Sequence, residues 1–481
     1  MTRSHRVSVA AVAAVLAAAA AASQSQSADD ALPAAAIHLQ RDEVNVLMGD
    51  RAQCTRSTPQ ALVAKTVWGK PEGRAWMENW RSPADRMAWA VETAEEARYE
   101  IDVLMAGPAE VEVSGPAGSF MLHAGQKWNK YATAGSLVLP KGSSTISIRL
   151  RRPADALLKS LELIAIDDAK AIRSREQQLR ASTAWLSQAK YGVMFQWGQW
   201  GYPKHGPAKP WPKMIDDFDV PRFVSMVEQT GAGYVIWSAT WRTYYFPAPI
   251  KAIERILPGR TAERDLIGEL ADALGKKGIK LILYYHEGHP DAAWWRRNWV
   301  SSDDKQKFCD NLCAVLDEAG ARYGPRLAGW MFDDGMLYYP APFERIGKAA
   351  KAGNPARLIS YNPWVLPRLT DFQDFYFGEG FHGNTSTALG SAGIFSSGAQ
   401  QGLLAHGSFT LDGPDWGIYK PETKITGPFF TPDHAAEMVK DASARGQVLS
   451  FNLLMYEDGN VNPKSLDVMR AVRKAIRGGE K

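Results

Sequence analysis

Two hydrophobic patterns divide the chain. Up to about residue 168, runs such as Arg98–Leu104 (RYEIDVL), Glu110–Ser114 (EVEVS), Gly135–Leu139 and Ser144–Leu150 (STISIRL) alternate apolar and polar positions. A strand with one buried face reads this way, because successive side chains leave opposite sides of the backbone. Turn residues such as Pro140-Lys141-Gly142 separate the runs. Short alternating strands at regular spacing predict an antiparallel β-sandwich over residues 29–168. Its exposed-aromatic candidates are Trp68, Trp76, Trp80 and Trp89, with a core role for two or more of them as the alternative. Residues 169–189 are rich in Ala, Arg, Gln and Glu and lack internal Gly and Pro, which predicts a helical connector docked by Trp185 and Leu186.

From residue 190 to 481 the alternation stops. Unbroken apolar runs now precede amphipathic segments. The runs are Tyr191–Gln196, Gly233–Ser238, Ile279–Tyr285, Leu327–Asp333, Leu358–Tyr361, Phe372–Phe377 and Val448–Leu454. Helical periodicity follows near Val220–Thr230, Asp265–Lys277, Asp303–Tyr323, Pro342–Ala352 and Ser465–Ile476. Strands buried on both faces and alternating with helices predict a parallel sheet. The length and strand number predict a (β/α)8 TIM-type barrel with irregularity in its later part. A doubly wound open sheet is the alternative, and no glycine-rich nucleotide loop supports it.

The apolar run WMF at Trp330–Phe332 ends in Asp333, Asp334 and Gly335. Acids at the C-terminal end of a barrel strand stand where such folds carry chemistry. The other runs end in Gln196-Trp197, then Trp241-Arg242, then His286-Glu287, then Asn362 and Trp364, then Glu379, and last Asn452. Carboxylates that break bonds, amides and Arg that bind hydroxyls, and rings that stack are what a sugar site needs.

Composition adds context. The 481 residues carry 45% hydrophobic and 22% charged side chains, with a net charge of +4. That bias is too weak to argue for nucleic acid or a membrane surface. Seventeen Trp is a high count that suits sugar stacking. Arg3 and Arg6 precede an Ala/Val run from Val7 to about Ala22. A basic start, a short apolar stretch and small residues predict a secretory leader over residues 1–28 and a periplasmic or secreted protein. No segment is long and apolar enough to span a bilayer. Cys309 and Cys313 share a helical face in poor disulfide geometry, and Cys54 lies far away, so no structural disulfide is expected. The order His286-Glu287-Gly288-His289 lacks zinc-binding helical spacing, so no metal or other cofactor is expected.

Several ordered motifs resemble the alpha-L-fucosidase family of retaining glycoside hydrolases. They are KYGVMFQWGQWGYP (Lys190–Pro203), GAGYVIWSAT (Gly231–Thr240), DLIGELADALGKKGIKLILYY (Asp265–Tyr285), WMFDDG (Trp330–Gly335), DFYFGEG (Asp374–Gly380) and GQVLSFNLLMYEDGNV (Gly446–Val461). The sandwich resembles galactose-binding-like carbohydrate-binding modules. The resemblance implies an oligosaccharide or polysaccharide substrate with a terminal α-linked L-fucose or related sugar. It implies a nucleophile at the Asp-Gly pair, which is Asp334, with Asp333 as the alternative. It implies Glu379 as the acid/base, and Glu287 stands as reserve. If Asp334 faces the barrel interior, then Phe332 faces it too and Asp333 points toward the helices. Gln196, Trp197, Trp241, Arg242, His286, Glu287, Asn362 and Trp364 are the expected sugar-contact residues. Gln196 stands where the family has His, and Trp241-Arg242 where it has a His pair. Arg only donates and keeps its charge, so Arg242 suits a carboxylate, a sulfate or a different hydroxyl arrangement. Two further readings stay open: a glycosidase for a different, acidic sugar, and a non-catalytic carbohydrate-binding protein on a hydrolase scaffold.

Overall fold

The computed structural model describes residues 36–66, 75–289, 291–300, 305–380 and 389–478. The predicted leader, Trp68 and His382 lie outside these residues. A β-sandwich comes first and a parallel barrel follows.

The sandwich packs two six-stranded sheets face to face. Strand Arg86–Thr93 shows how the alternation is used. Met87, Trp89, Val91 and Thr93 are buried, and the residues between them are not. Pairing is antiparallel throughout except at one edge, where Ile37–Leu39 runs parallel to Val91–Thr93. Trp80 and Trp89 are core residues, and the Trp89 indole donates to the Met48 carbonyl at 2.8 Å. A ring this deeply buried cannot stack on a ligand, so two of the four aromatic candidates do not form a binding face. Trp76 remains partly buried, edge-on to Trp128.

The connector is two helices, Ile166–Leu179 and Ala184–Ala189, with Arg180 in extended backbone at the break. Leu186 is fully buried against the barrel's inner cluster, and Trp185 packs edge-on to Tyr234. The short second helix thus closes the N-terminal end of the barrel, as its apolar pair predicts.

Eight parallel strands form the barrel: Tyr191–Phe195, Tyr234–Ser238, Lys280–Tyr285, Leu327–Phe332, Leu358–Tyr361, Phe375–Glu379, Leu404–Thr410 and Val448–Asn452. The seventh, LAHGSFT, is absent from the predicted runs because His406, Gly407 and Ser408 interrupt it. His406 is nonetheless fully buried, its Nε2 3.1 Å from the Tyr234 hydroxyl, and burial pushes its pKa down to about 3. It is therefore a neutral core residue at ordinary pH.

The ladder runs fifth–fourth–third–second–first–eighth–seventh–sixth. No backbone ladder joins the fifth and sixth strands among the described residues. One backbone bond, from the Asp374 N–H to the Ile359 carbonyl at 2.8 Å, and several side chains hold that seam. The Asp374 carboxylate accepts from the Ile359 and Ala181 backbone N–H groups and pairs with Lys351 at 3.0 Å. Ser360 donates to the Phe375 carbonyl. This is the expected irregularity.

Inside, Met194, Ile236, Ile282, Tyr284, Met331, Leu358, Phe375 and Phe377 fill the barrel. Outside, Phe195, Trp237, Leu283, Trp330, Phe332 and Ile359 meet the helices. Successive residues of each strand therefore alternate between two buried layers, which is why the runs look continuous.

Candidate active site

On the fourth strand, Met331 faces inward while Trp330 and Phe332 face the helices. The Trp330 indole donates to the Ala350 carbonyl, and Phe332 stacks against Tyr361. Continuing the same parity puts Asp333 into the barrel mouth. The orientation that an inward Asp334 would require, with Phe332 also inward, is not the one found, and the alternative Asp333 faces the mouth. Two large rings fit the looser outer layer better than the tapering interior, and that was the signal available in the run. Asp334 then leaves the strand in the left-handed region (φ 54°, ψ 43°) at the head of the turn Gly335–Tyr338. Its Oδ2 lies 3.0 Å from His286 Nε2. The Gly288 N–H donates to His286 Nδ1, so Nε2 carries the proton and donates to Asp334. Asp334 and His286 thus form a pair beside the mouth.

Asp333 is held from two sides. The Tyr284 hydroxyl donates to its Oδ2, and Asn362 Nδ2 donates to its Oδ1 at 2.8 Å. The same amide nitrogen donates to Glu379 Oε1 at 3.0 Å. Asn362 Oδ1 accepts the Trp364 N–H at 3.1 Å, which fixes which end of the amide faces the acids. Two oxygens sharing one nitrogen at those distances are no more than about 6 Å apart. Two carboxylates far apart in sequence, on the fourth and sixth strands, therefore meet across one amide from the fifth.

Electrostatics separate their roles. Burial, then the Asp333 charge, pushes the Glu379 carboxyl up to about 7, against the Asn362 hydrogen bond that pulls it down. Burial and the same charge hold the Tyr284 phenol well above its ordinary value, so it stays a donor. Glu379 is thus a carboxyl poised near neutrality beside a hydrogen-bonded Asp.

Gln196, Trp241, Tyr284, Asp333, Asn362, Glu379 and Trp416 line this pocket, above a floor of Met194, Met331 and Phe377. The Gln196 amide oxygen is buried with no hydrogen-bond partner among the described residues, an acceptor open to a ligand hydroxyl. Tyr284 and Trp416 were not among the predicted contacts. Tyr284 follows from the inward parity of Ile282. Trp416 comes from the segment after the seventh strand, which the sequence reading lacked.

Five expected contacts lie outside this lining, His286 among them in its pair with Asp334. Trp197 faces the outer layer, packed on Phe218 and Trp237, with its indole donating to the Glu457 carbonyl. Glu287 is fully buried behind the third strand, accepting from the Trp294 indole and the Asn298 amide. Burial pushes its pKa up to about 7, yet it reaches neither Asp333 nor the pocket, so it is not a reserve acid/base. Trp364, also in the left-handed region, serves through its backbone hold on Asn362. Arg242 stands outside the pocket lining, its guanidinium 4.0 Å from the Tyr419 ring centre.

No group of three metal-ligating side chains occurs among the described residues. No helix among them is long and apolar enough to cross a membrane. Cys54, Cys309 and Cys313 are free thiols.

A parallel barrel carrying two acids and a bridging amide at its C-terminal rim defines a glycoside-hydrolase type of site. Residues 212–355 match the family model described as Alpha-L-fucosidase, a stretch holding the second, third and fourth strands and Asp333. The barrel is alpha-L-fucosidase-like over that stretch. Among solved structures, one similar chain is alpha-L-fucosidase AlfC from Lactobacillus casei in complex with its alpha-L-fucose product. It is 19% identical, with 62% of this chain and 100% of that chain covered and a TM-score of 0.44. Another is a bacterial fucosidase with a monovalent iminocyclitol inhibitor, at 18% identity, 62% and 75% coverage and a TM-score of 0.44. No curated protein matches the chain by sequence.

Proposed function

We propose that this chain is an exported retaining glycosidase that releases a terminal α-linked L-fucose or a closely related sugar. The observation that carries the proposal is the Asp333–Asn362–Glu379 bridge. The facing oxygens of the two acids, within about 6 Å of each other, favour a retaining pair, about 5–5.5 Å apart, over the roughly 6.5–9.5 Å separation of inverting enzymes. The family match over residues 212–355 supports fucose as the sugar, and the basic, Ala-rich start of the sequence supports export.

In the first step Asp333 attacks the anomeric carbon. The protonated Glu379 gives its proton to the departing glycosidic oxygen. In the second step Glu379, now a carboxylate, takes a proton from water, and that water displaces Asp333 from the same carbon. Glu379 ends protonated and Asp333 ionised, so the cycle closes. Tyr284 and Asn362 each donate to one oxygen of Asp333 and so hold the carboxylate in place for attack. Gln196 is suited to accept from a sugar hydroxyl, and Trp241 and Trp416 to stack on apolar sugar faces. Both acids being present at working distance favours catalysis over a binding-only role.

Turnover of an aryl α-L-fucoside by single variants tests this. Asp333→Ala should lose at least about a thousand-fold in kcat while folding normally. Asp334→Ala should lose less, because it acts through His286. The reverse order would sink the assignment.

A second reading rests on Arg242. Its partly exposed guanidinium stacks on Tyr419 beside Trp241 and has no acidic partner among the described residues. That favours an anionic group on the substrate. Faster hydrolysis of anionic than neutral aryl glycosides, lost in Arg242→Gln, would establish it. Equal rates would dismiss it.

A further inference from the structure

A second cavity, of about 470 Å³, lies where the sandwich and the helix Ile166–Leu179 meet the barrel. It shares no residue with the catalytic pocket. Its size falls within the roughly 300–1,000 Å³ of small-molecule sites, and domain junctions are where such sites concentrate. Val46 of the sandwich, Ile172 of the helix, and Phe343 and Phe372 of the barrel give it apolar walls.

The charges on the lining do not cancel. Each basic side chain already has a carboxylate. Lys130 pairs with Glu162 at 2.6 Å, and Arg175 and Lys348 share Glu344 at 2.8 and 2.6 Å. Arg345 pairs with Asp310. Asp371 is matched by Arg368 and Arg180. Glu176 is the exception. It is only 9% exposed, it lines the cavity, and its carboxylate makes no hydrogen bond or ion pair. A mostly buried carboxylate with no direct partner is costly. Burial, then the Asp371 charge, pushes the Glu176 carboxyl up to about 7, against the Arg368, Arg180 and Lys130 charges that pull it down from a distance. Asp42 and Glu43 add further negative charge at the exposed rim.

We propose that this cavity binds an organic cation, with an ammonium or guanidinium group against Glu176 and an apolar body between Val46, Ile172, Phe343 and Phe372. A neutral apolar ligand would leave Glu176 without a direct partner. A bare metal ion would leave the apolar walls empty, and no cluster of three metal-ligating groups occurs among the described residues. An anion would face the excess of carboxylates.

Calorimetry on the full chain with 2-phenylethylamine and its neutral isostere 2-phenylethanol tests the proposal. The amine should bind saturably at one site, about ten-fold or more tighter than the alcohol. Glu176→Gln should reduce the amine to the level of the alcohol. Val46→Phe, which fills the cavity from the sandwich side, should abolish binding of both. Asp333→Asn should bind like wild type, separating this cavity from the catalytic pocket. Equal affinity for the two probes, no saturable amine binding at millimolar concentration, or amine binding untouched by Val46→Phe would each overturn it. Should Glu176→Gln fail to fold, the Val46→Phe result decides alone.

Discussion

Replacing Asn362 with Leu removes the amide that touches both acids while keeping nearly the same volume. Its Nδ2–H groups donate to Glu379 at 3.0 Å and to Asp333 at 2.8 Å. A hydrogen bond to a charged group is worth about 1.5–3 kcal/mol, and a tenfold change in proton affinity is about 1.4 kcal/mol. Glu379 is only partly buried, so the lower end applies. In wild type its carboxyl titrates at about 7, and the Asn362 bond pulls it down. Losing that bond stabilises the protonated acid and leaves two less-screened carboxylates facing each other. Both effects act upward. The alkaline limb of kcat/KM should therefore move from about 7 to about 8. The maximal kcat should fall about ten- to a hundred-fold, because Asp333 loses an orienting donor. The assay is kcat/KM for an aryl α-L-fucoside from pH 4 to pH 10, with Tm checked at each end. A limb that stays in place, or moves to lower pH, would refute the coupling of the two acids through this amide.

Two further outcomes follow from the same contacts. Tyr284→Phe removes the phenol donor on Asp333, so kcat should drop about ten- to a hundred-fold with KM little changed; a change confined to KM would mean that the phenol binds sugar instead. Glu287→Gln should stabilise the protein at high pH. The folded chain holds that proton up to about 7, whereas an unfolded Glu releases it near its ordinary 4.5, so stability falls as pH rises between those values. The amide removes that loss and keeps an acceptor for Trp294 and Asn298, which predicts a gain of about 1–3 kcal/mol at pH 8 and little near pH 4.5 by thermal denaturation. A variant less stable than wild type at pH 8 would contradict the account of Glu287 as a buried structural acid.

Much of the fold was legible because each strand type leaves its own periodicity. Period-two runs marked the sandwich, and unbroken apolar runs marked strands covered on both faces. The seventh strand escaped because a buried His and a Gly look polar or breaking in isolation, though Tyr234 meets one ring nitrogen of that His inside the barrel. The acids were visible, but their orientation was not. One residue of register exchanges Asp333 for Asp334, and the resemblance to an Asp-Gly motif favoured the wrong parity. The outward rings of Trp330 and Phe332 could have decided it. Trp197 and Glu287 follow the same rule: each sits one residue beyond an inward position and so faces the helices. Asn362 was read as a sugar contact. That it joins two carboxylates depends on the approach of the fourth and sixth strands, which no local pattern encodes.

The most direct test is covalent trapping. A 2-fluoro-L-fucosyl substrate with an activated leaving group slows the second step of a retaining enzyme and leaves the sugar on its nucleophile. After proteolysis, mass spectrometry should find the label on Asp333. A label on Asp334 or any other residue, or an active enzyme that accumulates no adduct, would contradict the account.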